Sequence, residues 1–467
     1  MNVREEYEKK LISAEEAVKM IENGYHITLG GAGSFAQVVD KYLAARDDLK
    51  EVLVSTFIDV LPYEFLRADP CCERFKWASG FIHMGTRPFA KNIGTAMYVP
   101  NLYSDVPKIY REVWKDRIDI AFIVTTKMDK HGYFNFGITC SHLKAIIDSA
   151  KKVVVIAKED MPWINGGYDE CVHISEVDYV IEDHEFPTPA LPFIPPPSKE
   201  DQMIAENIIE AGLVKSGSTL QVGIGSLPDS VIKLLKTCDY KDLGVHTEMI
   251  GDGTIELINE GIVTNDKKKL DRGKSVFTFV LGSRDCYEYL DRNPMMANYP
   301  VDYTNDPFLI AQQPNVFSLN QAAQIDLMGQ INSEQMGIIS PTGKLFQISG
   351  TGGQLDFVMG CLFSKDRQGK SVIALYSTYD GHSRVVPLLP EGSAVTVPRS
   401  MTQYVATEWG VAYLRGYPVR DRAIALINIA HPDHREWLIK EAERVGIFPP
   451  HYKPPIGKPE NVIVRRD

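Results

Sequence analysis

The sequence has few cysteines and no pair of the C-x-x-C type. Its seven cysteines are scattered over 467 residues. This pattern fits reduced thiols and excludes a disulfide-stapled scaffold and a structural zinc site. No apolar run approaches the ~18 residues needed to cross a membrane. The first ten residues are mostly charged and lack the apolar segment of a signal peptide, so we expect a cytoplasmic protein.

The chain also lacks an excess of positive charge. Lys and Arg total 50 against 61 Asp and Glu, which gives a net charge of -11. A surface of this sign repels polyanions and argues against a nucleic-acid partner. His431 and His434 are three residues apart, but no further Cys or His lies close to them in the sequence, so no metal site is expected.

Proline is concentrated in one segment that divides the chain. Residues 185–200 contain six prolines, so neither a helix nor a central strand can run through them. We predict an N-terminal domain over residues 1–185, a proline-rich linker over 186–200 and a C-terminal domain over 201–467. Continuous β-branched stretches, such as 118–124, indicate strands covered on both faces, which predicts an α/β fold with mainly parallel sheets.

The two halves share a weak internal repeat. In the first, a helix opened by a Ser13 and Glu16 capping box leads to a strand at 27–29 and a glycine-rich turn at 30–35. In the second, a helix ending near Gly212 leads to a strand, a second glycine-rich turn and a helix from Pro228. We therefore predict two similar open α/β domains that face each other, with the active site in the cleft between them.

Three glycine-rich segments and one carboxylate could carry chemistry. Residues 31–36 match G-x-G-x-x-A, but the next strand ends without the acidic residue that holds a nicotinamide ribose, so a tight strand-to-helix turn is favoured. Residues 223–227 would offer backbone N–H groups to an anion, although their spacing alone favours a plain turn. Residues 349–353 would serve as donors to a developing oxyanion. Glu248 is either a reactive carboxylate or a charge beside the next helix.

Four motifs occur in order along the chain: GIGSLPDSV at 223–231, LGVHTEM at 243–249, PVDYTNDP at 300–307 and SGTGGQLDF at 349–357. Together they resemble those of the acetyl-CoA hydrolase/transferase family, and within it the butyryl-CoA:acetate and 4-hydroxybutyrate CoA-transferases. The likeness covers essentially the whole chain. It implies two open α/β domains and transfer of CoA between a short-chain acyl-CoA and acetate through a glutamyl-CoA thioester. It also implies coenzyme A as a substrate, with no permanently bound cofactor.

The resemblance also implies roles for individual residues. Glu248 takes the place of the catalytic glutamate, and a carboxylate with an ordinary pKa is ionised at pH 7 and needs no general base. Asn320 is expected as an active-site amide or else as a turn residue. Lys370 is expected to meet CoA phosphates or else to be solvated. The expected oxyanion and CoA-binding residues are Gly223, Ile224, Gly225, Ser226, Leu227, Gly352 and Gly353.

Two segments depart from the family pattern and leave the substrate open. Residues 338–347 look longer than in the butyryl- and hydroxybutyryl-specific members, and the turn at 30–35 also differs. Arg284 is the nearest basic candidate for a dicarboxylate, so we expect monocarboxylates. The expected partners are an acyl-CoA, acetate and further copies of the chain in a dimer or tetramer, and neither nucleic acid nor membrane.

Two other functions compete with CoA transfer. An acyl-CoA hydrolase would use the same residues with water as the acceptor. A non-catalytic regulator that binds CoA or a metabolite would have no use for a reactive carboxylate between two oxyanion loops.

Overall fold

The computed structural model describes residues 2–90, 96–190, 196–223, 225–336, 344–457 and 459–466. Within these ranges, no helix is long and apolar enough to cross a membrane. The α-helices are Val3–Lys10, Ala14–Lys19, Gln37–Ala44, Glu64–Ala68, Val106–Lys108, Leu143–Ile147, Lys199–Glu210, Ser226–Thr237, Asp252–Asn259, Arg284–Leu290, Val301–Thr304, Pro307–Ile310, Gln354–Leu362, Val419–Asn428 and Pro432–Arg444.

The first half contains a six-stranded parallel sheet, as predicted. Ile120–Thr126 is buried at every residue, which its continuous β-branched sequence indicates. Numbered along the chain, the strands lie in the order 3-2-1-4-5-6, so the winding reverses beside His26–Thr28. Ligands of such sheets bind outside the carboxyl ends of the strands at this reversal. In spatial order the strands are Tyr179–Glu182, Val153–Lys158, Ile120–Thr126, His26–Thr28, Val52–Thr56 and Phe75–Ser79.

The second half contains a seven-stranded sheet that is parallel except at one edge. The winding reverses between Thr219–Val222 and Phe317–Gln321, directly before the glycine-rich residues 223–227. The last two strands, Gly410–Tyr413 and Val462–Arg465, run antiparallel to their neighbours. In spatial order the strands are Gly244–Val245, Thr219–Val222, Phe317–Gln321, Lys370–Ala374, Tyr404–Thr407, Gly410–Tyr413 and Val462–Arg465.

The remaining strands are short and form separate small sheets outside the two large ones. Met249–Ile250 pairs in parallel with Phe279–Val280 and extends the segment that carries Glu248. The other short strands are Gly30–Gly31, Ser34–Phe35, Tyr133–Asn135, Cys171–His173, Ser275–Phe277, Met296–Asn298, Gln324–Asp326, Ile331–Asn332, Gln335–Met336, Phe346–Gln347, Thr378–Tyr379, His382–Ser383 and Val385–Val386.

The first copy of the predicted repeat differs from the expectation at its glycines. The capping box of Ser13 and Glu16 is present. The following glycine segment, however, is a small antiparallel hairpin of Gly30–Gly31 and Ser34–Phe35, and the expected tight strand-to-helix turn is wrong. The chain reverses at Ala32, whose φ of 52° is rare for a residue with a Cβ.

The second copy of the repeat follows the expectation more closely. Lys199–Glu210 leads to Thr219–Val222, and the chain then passes through Gly225 into Ser226–Thr237. Gly225 has a φ of 137°, which favours glycine. The helix Lys199–Glu210 is capped by Ser198, so the last two residues of the predicted linker are helical. Residues 191–195 of that linker lie outside the described residues.

Candidate active site

Glu248 lies on an irregular segment that leaves the C-terminal sheet. Its backbone oxygen accepts hydrogen bonds from the N–H groups of Thr278, at 3.0 Å, and Phe279, at 3.3 Å. These two hydrogen bonds tie the backbone of Glu248 to the junction between the short strands Ser275–Phe277 and Phe279–Val280. Glu248 as a whole residue is neither fully buried nor fully exposed.

An amide and a glycine hold the carboxyl group of Glu248. Asn305 donates from Nδ2 to Oε2 of Glu248 at 2.9 Å. The backbone N–H of Gly353 lies beside the same carboxyl group. A Cβ at position 353 would overlap both Oε2 of Glu248 and the Asn305 amide, so only glycine allows this approach. The site therefore presents two hydrogen-bond donors to one carboxyl group.

The environment makes Glu248 a weaker acid than an ordinary glutamate. Burial raises its pKa from 4.5 to about 7, the Asn305 hydrogen bond opposes this, and the nearby charge of Asp356 adds to it. The expectation of an ordinary pKa is therefore wrong.

The second glycine loop, residues 349–353, is clamped between the two halves of the chain. Tyr103 donates from its backbone N–H to the oxygen of Gly352 at 3.2 Å. A Cβ at Gly352 would lie 2.9 Å from the ring of Phe81, and its φ of 53° also favours glycine. Thr351 donates to the carboxylate of Glu334 at 3.3 Å. Contacts from the N-terminal half thus fix the loop that faces Glu248.

The first glycine loop, residues 223–227, borders a cavity of about 180 Å³. Gly223 lines this cavity together with Met249, the residue after Glu248, and Leu281. Leu281 also lies beside the hairpin of the N-terminal half, since a Cβ at Gly33 would be 3.3 Å from it. Gly225, Ser226 and Leu227 form the start of the following helix, whereas Ile224 lies outside the described residues.

Two family models match the chain. The model of the acetyl-CoA hydrolase/transferase N-terminal domain matches residues 1–192, and that of the C-terminal domain matches residues 282–442. The chain belongs to the acetyl-CoA hydrolase/transferase family. This confirms the resemblance carried by the four sequence motifs.

The similarity to individual relatives covers nearly the whole chain of this family member. It is 39% identical to the butyryl-CoA:acetate CoA-transferase of Anaerostipes caccae, over 96% of this chain and 99% of that protein. It is 38% identical to the 4-hydroxybutyrate coenzyme A transferase of Clostridium kluyveri, over 95% and 100%. The crystal structure of RipA from Yersinia pestis is 35% identical, covers 96% of this chain and 100% of that one, and has a TM-score of 0.84.

Two residues expected at the site of this hydrolase/transferase family member have hydrogen-bond partners other than Glu248. Asn320 is on a central strand and donates to Ser318 Oγ at 2.9 Å and to Gln221 at 3.3 Å. Lys370 begins its strand at the edge opposite to the glycine loops and donates to the backbone oxygens of residues 212 and 213. The structure brings neither of them to Glu248.

The amide that contacts Glu248 is Asn305, which the sequence analysis did not single out. It lies within the motif PVDYTNDP, although nothing in the spacing links that motif to Glu248, 57 positions earlier. The motif folds into two short helices, Val301–Thr304 and Pro307–Ile310, with Asn305 at the junction. An Asn between helices is the signal that could have found it, since such a residue needs a partner for its side chain.

Other sequence features have structural partners. Arg284 forms an ion pair with Asp160 at 2.8 Å. His431 accepts from the N–H of Asp433 and caps the helix Pro432–Arg444. Among the residues that the structure describes, no group of three or more His, Cys, Asp and Glu could hold a metal ion. Of the segment 338–347, residues 338–343 lie outside that part of the chain.

Proposed function

We propose that the protein is an acyl-CoA:carboxylate CoA-transferase in which Glu248 forms a covalent thioester with coenzyme A. The observation that carries the proposal is the Glu248 carboxyl group, held by Asn305 at 2.9 Å and approached by the glycine at 353. A carboxylate under amide donors can act as a nucleophile whose tetrahedral intermediates are stabilised by the same donors.

The chemistry proceeds in two halves. An oxygen of Glu248 attacks the acyl-CoA carbonyl carbon, the carbon–sulfur bond breaks, and CoA leaves as a thiolate from a mixed anhydride. The thiolate then attacks the glutamyl carbon, the glutamyl carbon–oxygen bond breaks, and the first acid is released. The second acid reverses these steps. Asn305, Gly353 and the first-turn N–H of Leu227 are the proposed donors to the oxyanions.

Short-chain monocarboxylates are the proposed substrates, with butyryl-CoA or 4-hydroxybutyryl-CoA as the donor and acetate as the acceptor. The names of the relatives support this choice. The cavity of about 180 Å³ that is lined by Gly223 and by Met249, the residue after Glu248, supports a short acyl group. Arg284, the nearest basic candidate for a dicarboxylate, is paired with Asp160, which also supports a monocarboxylate. Coenzyme A is proposed as a substrate, without a permanently bound cofactor.

Thioester formation tests the proposal directly. The protein is incubated with butyryl-CoA and no acceptor, digested and analysed by mass spectrometry. The peptide containing Glu248 should gain the mass of CoA minus water, and Glu248→Gln should show no gain. Glu436→Gln, which changes an exposed glutamate on a distant helix, should behave as the wild type. An unchanged mass in the wild type, with transfer activity retained in Glu248→Gln, would refute the proposal.

Hydrolysis is the competing function, since water can replace acetate as the acceptor. Release of free thiol from butyryl-CoA is followed with and without acetate, while acetyl-CoA is measured in parallel. A transferase should form acetyl-CoA and release little thiol. Equal loss of butyryl-CoA in both samples, with a stoichiometric thiol signal, would assign the hydrolase.

A further inference from the structure

Asp356 is a buried carboxyl group that the proposed chemistry leaves unused. It is 0% exposed and lies in the first turn of Gln354–Leu362, directly after the second glycine loop. Both of its oxygens have partners in the N-terminal half. Ser104 donates from its backbone N–H to Oδ2 at 3.1 Å and from Oγ to Oδ1 at 2.7 Å.

One amide group connects Asp356 to Glu248. Asn305 Nδ2, which donates to Glu248 at 2.9 Å, is also 3.4 Å from Oδ2 of Asp356. A side-chain amide has two N–H groups, so one NH₂ can serve both carboxyl groups. The amide oxygen is fixed as well, because it accepts from Thr304 Oγ1 at 3.0 Å. These contacts leave the Asn305 side chain a single orientation.

We propose that Asp356 is a positioning residue for CoA transfer, which orients the Asn305 amide toward Glu248 and ties that orientation to Ser104 of the N-terminal half. The inference rests on the proposed function, in which Glu248 reacts with CoA.

The need for a second anchor follows from the change in charge at Glu248. As a thioester, Glu248 is neutral and its oxygen is a weaker acceptor than a carboxylate oxygen. An amide held by Glu248 alone would then lose its strongest partner. The oxygen of Asp356 is not altered by the reaction and continues to accept from the amide. The second N–H therefore still faces the oxygen that becomes an oxyanion when acetate attacks.

Electrostatics supply an independent readout. The charge of Asp356 raises the pKa of Glu248, while burial raises the pKa of Asp356 to about 6. The other ionisable groups that face this pair are Asp306, which acts on Asp356, and Tyr103, whose hydroxyl is influenced by Glu248. Removing the Asp356 charge should therefore lower the pH at which Glu248 ionises.

Two substitutions separate orientation from charge. Asp356→Asn can keep every hydrogen bond, because its oxygen can accept from Asn305 and the Ser104 N–H while its NH₂ donates to Ser104 Oγ. We expect its plateau kcat to stay within about threefold of the wild type, and the acid limb of kcat/KM to move to lower pH by at least ~0.5 pH unit. Asp356→Ala should lower kcat at least about tenfold, with KM for butyryl-CoA within about threefold.

A control variant and a double mutant test whether Asp356 acts on Glu248 through the Asn305 amide. Asp326→Asn, at a fully buried aspartate that ends the short strand Gln324–Asp326 and has no hydrogen bond to Glu248, Asn305 or Asp356, should leave the pH profile unchanged. In an Asn305→Ala background, Asp356→Ala should cost less than about threefold further, because Asp356 acts through that amide. Thermal melts report whether each variant folds, and if Asp356→Ala does not, the pH profile of Asp356→Asn decides.

Three outcomes would overturn the inference. They are a wild-type kcat in a folded Asp356→Ala, an equal loss of kcat from Asp356→Ala in the wild-type and Asn305→Ala backgrounds, and an acid limb of kcat/KM in Asp356→Asn at the same pH as in the wild type. Failure of the proposed function is separately visible, since the wild type would then form no glutamyl-CoA thioester.

Discussion

The raised pKa of Glu248 predicts that the folded protein is destabilised by its own nucleophile. Below pH 4.5 the carboxyl group is protonated in both the folded and the unfolded chain, so it adds no pH-dependent term. Above pH 7 it is ionised in both, and the folded state bears the cost of the partly buried charge. A shift from 4.5 to about 7 corresponds to ~3 kcal/mol. Replacing Glu248 by Gln, which can still accept from Asn305, should recover this free energy only at high pH.

Urea unfolding of the wild type and Glu248→Gln at pH 4.5 and pH 8.5 measures this difference. At pH 8.5 the variant should be more stable by ~3 kcal/mol, and at pH 4.5 the two should agree within ~0.5 kcal/mol. Glu436→Gln, at an exposed position, should differ from the wild type by less than ~0.5 kcal/mol at both pH values. A variant equal to or weaker than the wild type at pH 8.5 would refute the assignment of a desolvated charge to Glu248.

Three further predictions concern single residues of the site. Gly353→Ala should lower kcat at least about a hundredfold in a steady-state transfer assay, because its Cβ would displace the Glu248 carboxyl group; near-normal kcat would contradict the close approach. Asn305→Ala should lower kcat/KM by roughly 10- to 100-fold, because it removes a hydrogen bond to a charged group. Asn320→Ala should change kcat/KM by less than about threefold. A larger loss in Asn320→Ala than in Asn305→Ala would contradict the geometry. Lys370→Ala should leave KM for butyryl-CoA within about twofold, since the lysine lies at the far edge of the sheet, and a large rise in KM would place CoA there instead.

The general architecture is predictable from sequence because its signals are local. The capping box at Ser13 and Glu16 and the continuous apolar strand Ile120–Thr126 depend only on neighbouring residues and on burial of both sheet faces. The hairpin of Gly30–Gly31 and Ser34–Phe35, in contrast, depends on a contact between residues far apart in the sequence. Its turn at Ala32 is held by a backbone hydrogen bond to the oxygen of Phe57, on another part of the chain.

The site is predictable only where one motif contains the whole feature. Glu248 and the two glycine loops each lie within a motif, but their mutual arrangement depends on pairings across the fold. Asn305 was missed because its contact with Glu248 depends on the packing of two short helices. The position of Lys370 could have been predicted from the sequence. A lysine at the start of an apolar strand lies at the amino edge of a parallel sheet, whereas ligands bind at the carboxyl edge.

The hydrogen bonds from Tyr103 and Ser104 to the other half of the chain have a consequence for how the gene could be divided. A cut in the proline-rich segment would leave Ser104 on one polypeptide and Glu248 on the other. Each fragment would contain all the strands of its own sheet, but the anchor of Asp356 and the clamp on the oxygen of Gly352 would return only on reassociation. Activity in a mixture of the two fragments would therefore depend on the product of their concentrations, and two separate genes would have to be expressed in balance.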